Sequence, residues 1–247
     1  MSRTTHAPHR TEDRTLAWDG CLNVRDLGGL PTASGRPTAR GAIVRADNLD
    51  RLTAEGWEAL LDHGVRTVVD LRDAGEYKPL LPLPEDVELV RVPLDELAGP
   101  AWWQAHGRLD GTPLALRPYL EHCPHAAAAL VRAIAGARPG GVVVHCGAGR
   151  DRTGLAALLL LALAGVDRAA IAEDYLLSTP HIRPLYGMLG LPDPYRRIDA
   201  VLAEAGTTAE AALAAVLDGF DPTGYLLAAG VEPELIAAVR ERLLPAA

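Results

Sequence analysis

Between Val142 and Ala164 the chain changes its apolar period abruptly. Val142-Val143-Val144 is a β-branched run that reads as a buried strand, and Leu155 to Ala164 is an unbroken apolar run that reads as a core helix. Only His145-Cys146-Gly147-Ala148-Gly149-Arg150-Asp151-Arg152-Thr153-Gly154 lies between them, with the helix starting near Thr153. The chain must pass from strand to helix through one tight glycine-bearing loop, which restricts it to a layered α/β architecture.

The same alternation recurs upstream. Ala42 to Val44, Val65 to Leu71 and Val87 to Val92 read as strands, and a helix capped by Thr53 runs to about His63 with Gly64 as its stop. Pro124 opens an Ala-rich helix reaching about Ala137. After the loop, helices are expected at Asp167 to Leu177, Tyr195 to Glu204, Thr208 to Leu217 and Pro233 to Leu244. The expected fold is α/β, a central and mostly parallel sheet flanked by helices. Pro93 to His122 has no clear period and reads as a long loop or helical lid with short helical pieces. Residues 1–19 read as a flexible, polar lead-in without the apolar core of a secretory signal, and 20–247 as one domain.

A net charge of -8 disfavours a nucleic-acid partner, which would need a dense basic face. The run from Leu155 is about half the length a membrane span requires, so no span is expected. Cys21, Cys123 and Cys146 lie far apart and fit a reducing cytoplasm better than a disulfide framework. His122, Cys123, His125, His145 and Cys146 show neither a Cys-x2-Cys spacing nor a paired histidine set, so neither metal nor cofactor is expected.

In open α/β sheets ligands sit where the carboxyl ends of strands meet the following loops, and Arg72-Asp73 and His145-Cys146 both fall there. Backbone N–H groups of Gly147, Ala148, Gly149, Arg150 and Asp151 can converge on one anion, and the helix N-terminus adds unpaired donors and a partial positive charge. That field favours a thiolate at Cys146, a nucleophile that needs no separate base. Arg152, six positions on, can return across the loop and grip two phosphate oxygens in a bidentate fork. Thr153 is expected to donate its hydroxyl to the sulfur, and His145 to fix the loop through a backbone hydrogen bond.

These residues resemble the Cys-x5-Arg-Thr signature of protein tyrosine and dual-specificity phosphatases, in the bacterial form His-Cys-x-Ala-Gly-Lys-Asp-Arg-Thr-Gly. Asn23-Val24-Arg25-Asp26-Leu27-Gly28-Gly29 is similar to that branch's Asn-Phe-Arg-Asp-Leu-Gly-Gly motif, and Val69-Asp70-Leu71-Arg72, Asp174-Tyr175-Leu176 and Gly224-Tyr225-Leu226 extend the resemblance over nearly the whole chain. The resemblance implies phosphotyrosine hydrolysis through a phosphocysteine. For some members it extends to phosphoserine, phosphothreonine and phosphoinositides, so the implied partner is a phosphorylated protein or a phosphoinositide. Arg150 replaces the family's loop lysine, keeping the charge with a different reach. Asp26 and Arg72 are implied as scaffold near the pocket. For the general acid, Asp95, in a position similar to the family's proposed acid, is the first choice. Asp151 is the alternative, either bracing the loop or carrying a proton. Trp102 and Trp103 are expected to pack the lid. The rival class is a phosphate-binding module without turnover, against which the presence of Cys146 and Asp95 argues.

Overall fold

The computed structural model describes residues 14–244. Five strands form the sheet: β1 (Arg25–Asp26), β2 (Ile43–Ala46), β3 (Val65–Asp70), β4 (Glu88–Arg91) and β5 (Gly141–His145), in spatial order β1-β2-β5-β3-β4. Only β1 runs antiparallel; β2, β5, β3 and β4 are mutually parallel. The register pairs Ala46 with His145 and Asp70 with His145, so three strands end at one level. Cys146 therefore emerges from the central strand at the sheet's carboxyl edge, where the next residues of β2 and β3 also leave it.

The helices are α1 (Ala54–Asp62), α2 (Leu94–His106), α3 (Leu116–His122), α4 (Pro124–Ala135), α5 (Asp151–Leu163) and α6 (Arg168–Leu176). They continue as α7 (Ser178–Met188), α8 (Tyr195–Glu204), α9 (Ala209–Leu217), α10 (Pro222–Ala228) and α11 (Pro233–Leu243). Alternation along β5 divides the core. Val142 and Val144 pack with α4, α5 and α11, whereas Val143 faces Trp57 and Leu60 of α1. Helix α5 is buried on nearly every side, as its uniform apolarity requires. Leu160 on it is fully buried, so Leu160→Ala is expected to cost about 2–5 kcal/mol. A calorimetric midpoint lowered by less than a degree would contradict that packing.

One expectation is corrected. Residues 14–19, read as part of the flexible lead-in, are packed at least at Arg14 and Trp18, both buried, and Arg14 reaches Asp174 at 3.0 Å; residues 1–13 lie outside the described part. Pro93 to His122 is a run of short helical pieces: within α2 the φ of 73° at Gly99 ends one piece before Pro100 starts the next. Helices α7 and α10 were not among the expected spans; Pro184 lies inside α7, and Pro222 occupies the first turn of α10. Among the described residues no single helix is long and apolar enough to cross a membrane.

Candidate active site

The loop after β5 is compact because Gly149 allows it to be. Its φ is 65°, and a Cβ there would meet the Ala46 carbonyl oxygen at 2.6 Å, so any side chain would push the loop off the end of β2. Gly154 plays a packing role one turn into α5, where a Cβ would lie 2.5 Å from the Tyr175 ring. The turn delivers Cys146, Ala148, Asp151 and Arg152 to one cavity of about 230 Å³. Trp102, Trp103, Leu116, Tyr119 and Leu155 form much of its wall, and Asp95 and Asp110 also line it.

Arg152 lines the cavity, and its fork meets a carboxylate. Its Nη1 and Nη2 donate to the two Glu76 carboxylate oxygens at 2.5 and 2.9 Å, and Nη1 lies 3.0 Å from Asp95 Oδ2. Burial alone would lower the Arg152 pKa, but Glu76, Cys146 and Asp95 raise it well above the ordinary value, so the guanidinium stays charged. Glu76 was not singled out in the sequence. It sits in a short turn just past β3, at the carboxyl edge where ligand groups collect, and that position was the available signal. The carboxylates of Asp73, Glu76 and Asp95 have ligand-type oxygens within 4.8 Å of one another, but Arg152 already supplies the cation to two of them.

Asp95 occupies the first turn of α2. Burial pushes its pKa up to about 6; Arg152 opposes the shift, while Asp73, Glu76 and Asp110 reinforce it. The aromatic wall holds this segment in place. Trp103 Nε1 donates to the Asp95 carbonyl at 3.2 Å, Tyr119 donates its hydroxyl to the Leu94 carbonyl at 2.6 Å, and Trp102 stands edge-on to both rings. The tryptophans thus pack α2 as expected and also line the cavity.

Asp151 is braced. It accepts from Arg150 Nε and Nη2, each at 3.1 Å, and from the Tyr175 hydroxyl at 3.3 Å. The Arg150 side chain is engaged outside the cavity. Its Nη2 donates to the Gly111 carbonyl at 2.9 Å, its guanidinium stacks 5.0 Å from the Tyr195 ring centre, and it is absent from the cavity lining.

The supporting residues also diverge from expectation. Thr153 directs its hydroxyl to the Ala46 carbonyl at 3.4 Å rather than to sulfur, since the first turn of α5 lies against the end of β2. His145 faces a carboxylate, with Nε2 3.5 Å from Asp70 Oδ2, in place of the expected backbone partner. Asp70 also pairs with Arg72 at 2.8 Å, and Arg72 reaches Asp50 at 2.7 Å, so Arg72 braces the strand end beside His145. Asp26 lies outside the cavity and accepts from the Gly28 and Gly41 amides at 2.7 and 2.8 Å, pinning the Gly-Gly turn.

A family model described as "Tyrosine phosphatase family" matches residues 16–245. The chain belongs to the tyrosine phosphatase family. A Cupriavidus necator protein whose own tyrosine-phosphatase assignment is provisional is 33% identical over 176 residues, covering 66% of this chain and 62% of that one. A Nostoc commune tyrosine-protein phosphatase is 33% identical over 148 residues, 57% of this chain and 49% of that one. The chain therefore aligns with less than two thirds of either relative. The triple specificity protein phosphatase PtpB of Mycobacterium tuberculosis is 27% identical across 91% of this chain and 87% of its own length.

Proposed function

We propose that this protein hydrolyses phosphotyrosine through a phosphocysteine intermediate. The observation that carries the reading is the convergence of Cys146, Arg152 and a carboxyl with a raised pKa, Asp95, on one aromatic-walled cavity. The Cys146 thiolate attacks phosphorus as the bond from phosphorus to the tyrosine oxygen breaks, and protonated Asp95 gives its proton to that oxygen. Asp95, now a carboxylate, takes a proton from water, whose oxygen attacks phosphorus and releases orthophosphate and the thiolate. Arg152 and the loop amides hold the phosphoryl oxygens throughout. Glu76 keeps the Arg152 fork oriented, and Asp151 braces the loop while Asp95 acts as the acid.

The same cavity favours an aromatic phosphate over a phosphoinositide. Its wall is aromatic and aliphatic, Asp95, Asp110 and Asp151 line it, and Arg150 is engaged by Gly111 and Asp151 instead of offering a second cation. Turnover is expected to fall in the order phosphotyrosine peptide, phosphoserine peptide, phosphatidylinositol phosphate vesicles, measured as released orthophosphate with chelator present. Vesicles turned over as fast as the phosphotyrosine peptide would overturn this preference.

A further inference from the structure

The Asn23–Gly29 motif is conspicuous in the sequence, yet none of its side chains lines the cavity. Its first residue nevertheless holds the loop. Asn23 is fully buried, and its Nδ2 donates to the carbonyls of Ala148 at 3.0 Å and Gly149 at 3.1 Å. Arg45 Nη2 donates to the Gly149 carbonyl at 2.7 Å, and the Asn48 backbone N–H to the Gly147 carbonyl at 3.2 Å. Three consecutive loop carbonyls are thus engaged by groups outside the cavity lining.

Within a planar trans peptide, the C=O of one residue and the N–H of the next point in opposite directions. Anchoring the carbonyls of Gly147, Ala148 and Gly149 therefore turns the N–H groups of Ala148, Gly149 and Arg150 away from those anchors. The amide of Asn23 is itself oriented. Its Oδ1 accepts from Arg25 Nη1 at 2.5 Å, and an arginine offers only donors, so Nδ2 must face the loop. Arg25 is held in turn by the Asp174 carbonyl at 2.8 Å and the Ser178 hydroxyl at 3.1 Å. The Asp174 carboxylate pairs with Arg14, Arg25 and Arg45 and offsets part of the charge of these three buried cations.

We infer that Asn23 is a positioning residue of the phosphate loop, acting through the Ala148 and Gly149 carbonyls to present the loop amides to the anion. The inference rests on the phosphate-site reading above. Two variants test it. Asn23→Ala removes the donor; Asn23→Asp keeps the size and the acceptor for Arg25 but at neutral pH offers no N–H to the carbonyls. Orthophosphate binding is measured by titration calorimetry, and kcat and KM on 4-nitrophenyl phosphate, with Leu160→Ala as a control for lost stability alone.

Both Asn23 variants are expected to bind orthophosphate about tenfold more weakly, a loss of about 1.4 kcal/mol, and to lose kcat. Leu160→Ala should bind as the wild type does despite its lower thermal midpoint. A folded Asn23 variant that binds orthophosphate as tightly as wild type overturns the inference, and Asn23→Asp decides the matter if Asn23→Ala does not fold. Wild type that binds no orthophosphate would sink the phosphate-site reading itself, and this inference with it.

Discussion

Cys146→Ser is expected to lower phosphotyrosine turnover by on the order of 10,000-fold or more while leaving the substrate bound. The serine hydroxyl is un-ionised at neutral pH and is a far weaker nucleophile than a thiolate. Arg152 and the loop amides remain, so the variant should retain a phosphotyrosine peptide with an affinity close to the wild-type KM. Steady-state release of orthophosphate gives the first quantity, and calorimetric titration of the variant with the peptide gives the second. In wild type quenched during turnover, intact-mass analysis should show one added phosphoryl group that Cys146→Ser lacks. A serine variant retaining a tenth of the wild-type rate would rule out the covalent mechanism.

The second large effect is expected at Asp95. Its carboxyl must be protonated in the first chemical step, and burial places its pKa at about 6. The competent fraction is therefore high below about pH 6 and falls as pH rises through that value. Asp95→Asn can supply no proton at any pH, so kcat should drop by roughly 100- to 10,000-fold and lose the descending limb near pH 6. The loss should be larger for phosphotyrosine than for 4-nitrophenyl phosphate, whose leaving group needs less help. Stability depends on pH in the same direction. A carboxyl whose pKa is raised by folding contributes most while protonated, and that contribution is lost as pH climbs from the unfolded value through about 6. Asp95→Asn should therefore have a thermal midpoint at pH 8 no lower than wild type. A pH profile unchanged by the substitution would transfer the acid's role to another group, with Asp151 the first to examine.

Much of the frame was legible because its signals are local. The Val142–Val144 run, the glycine loop and the apolar helix follow one another within a few turns of chain, and Thr53 and Gly64 mark the ends of α1 by cap chemistry that acts over three or four residues. Cys146 and Arg152 share one short loop, so their spacing alone implied that both face one anion. Helix α7 was hidden for an equally local reason. Pro184 lies inside it, and the helix is held instead by Ile182 and Leu185 packing against Tyr195, Ile198 and Leu202 of α8, contacts that no helical period reports.

The sequence by itself determined the layered architecture, the glycine-bearing loop and the placing of Cys146 and Arg152 within it, because period, caps and loop length are properties of neighbouring residues. Only the tertiary structure decided that Arg152 meets Glu76, 76 positions away, that Arg150 turns to Gly111, and that Asn23 holds carbonyls 125 and 126 positions along the chain. Those partners depend on the strand order β1-β2-β5-β3-β4, which sets the ends of β2 and β3 on either side of Cys146. A side chain's partner across such a sheet is fixed by which strands become neighbours, and that is settled by the packing of the whole core.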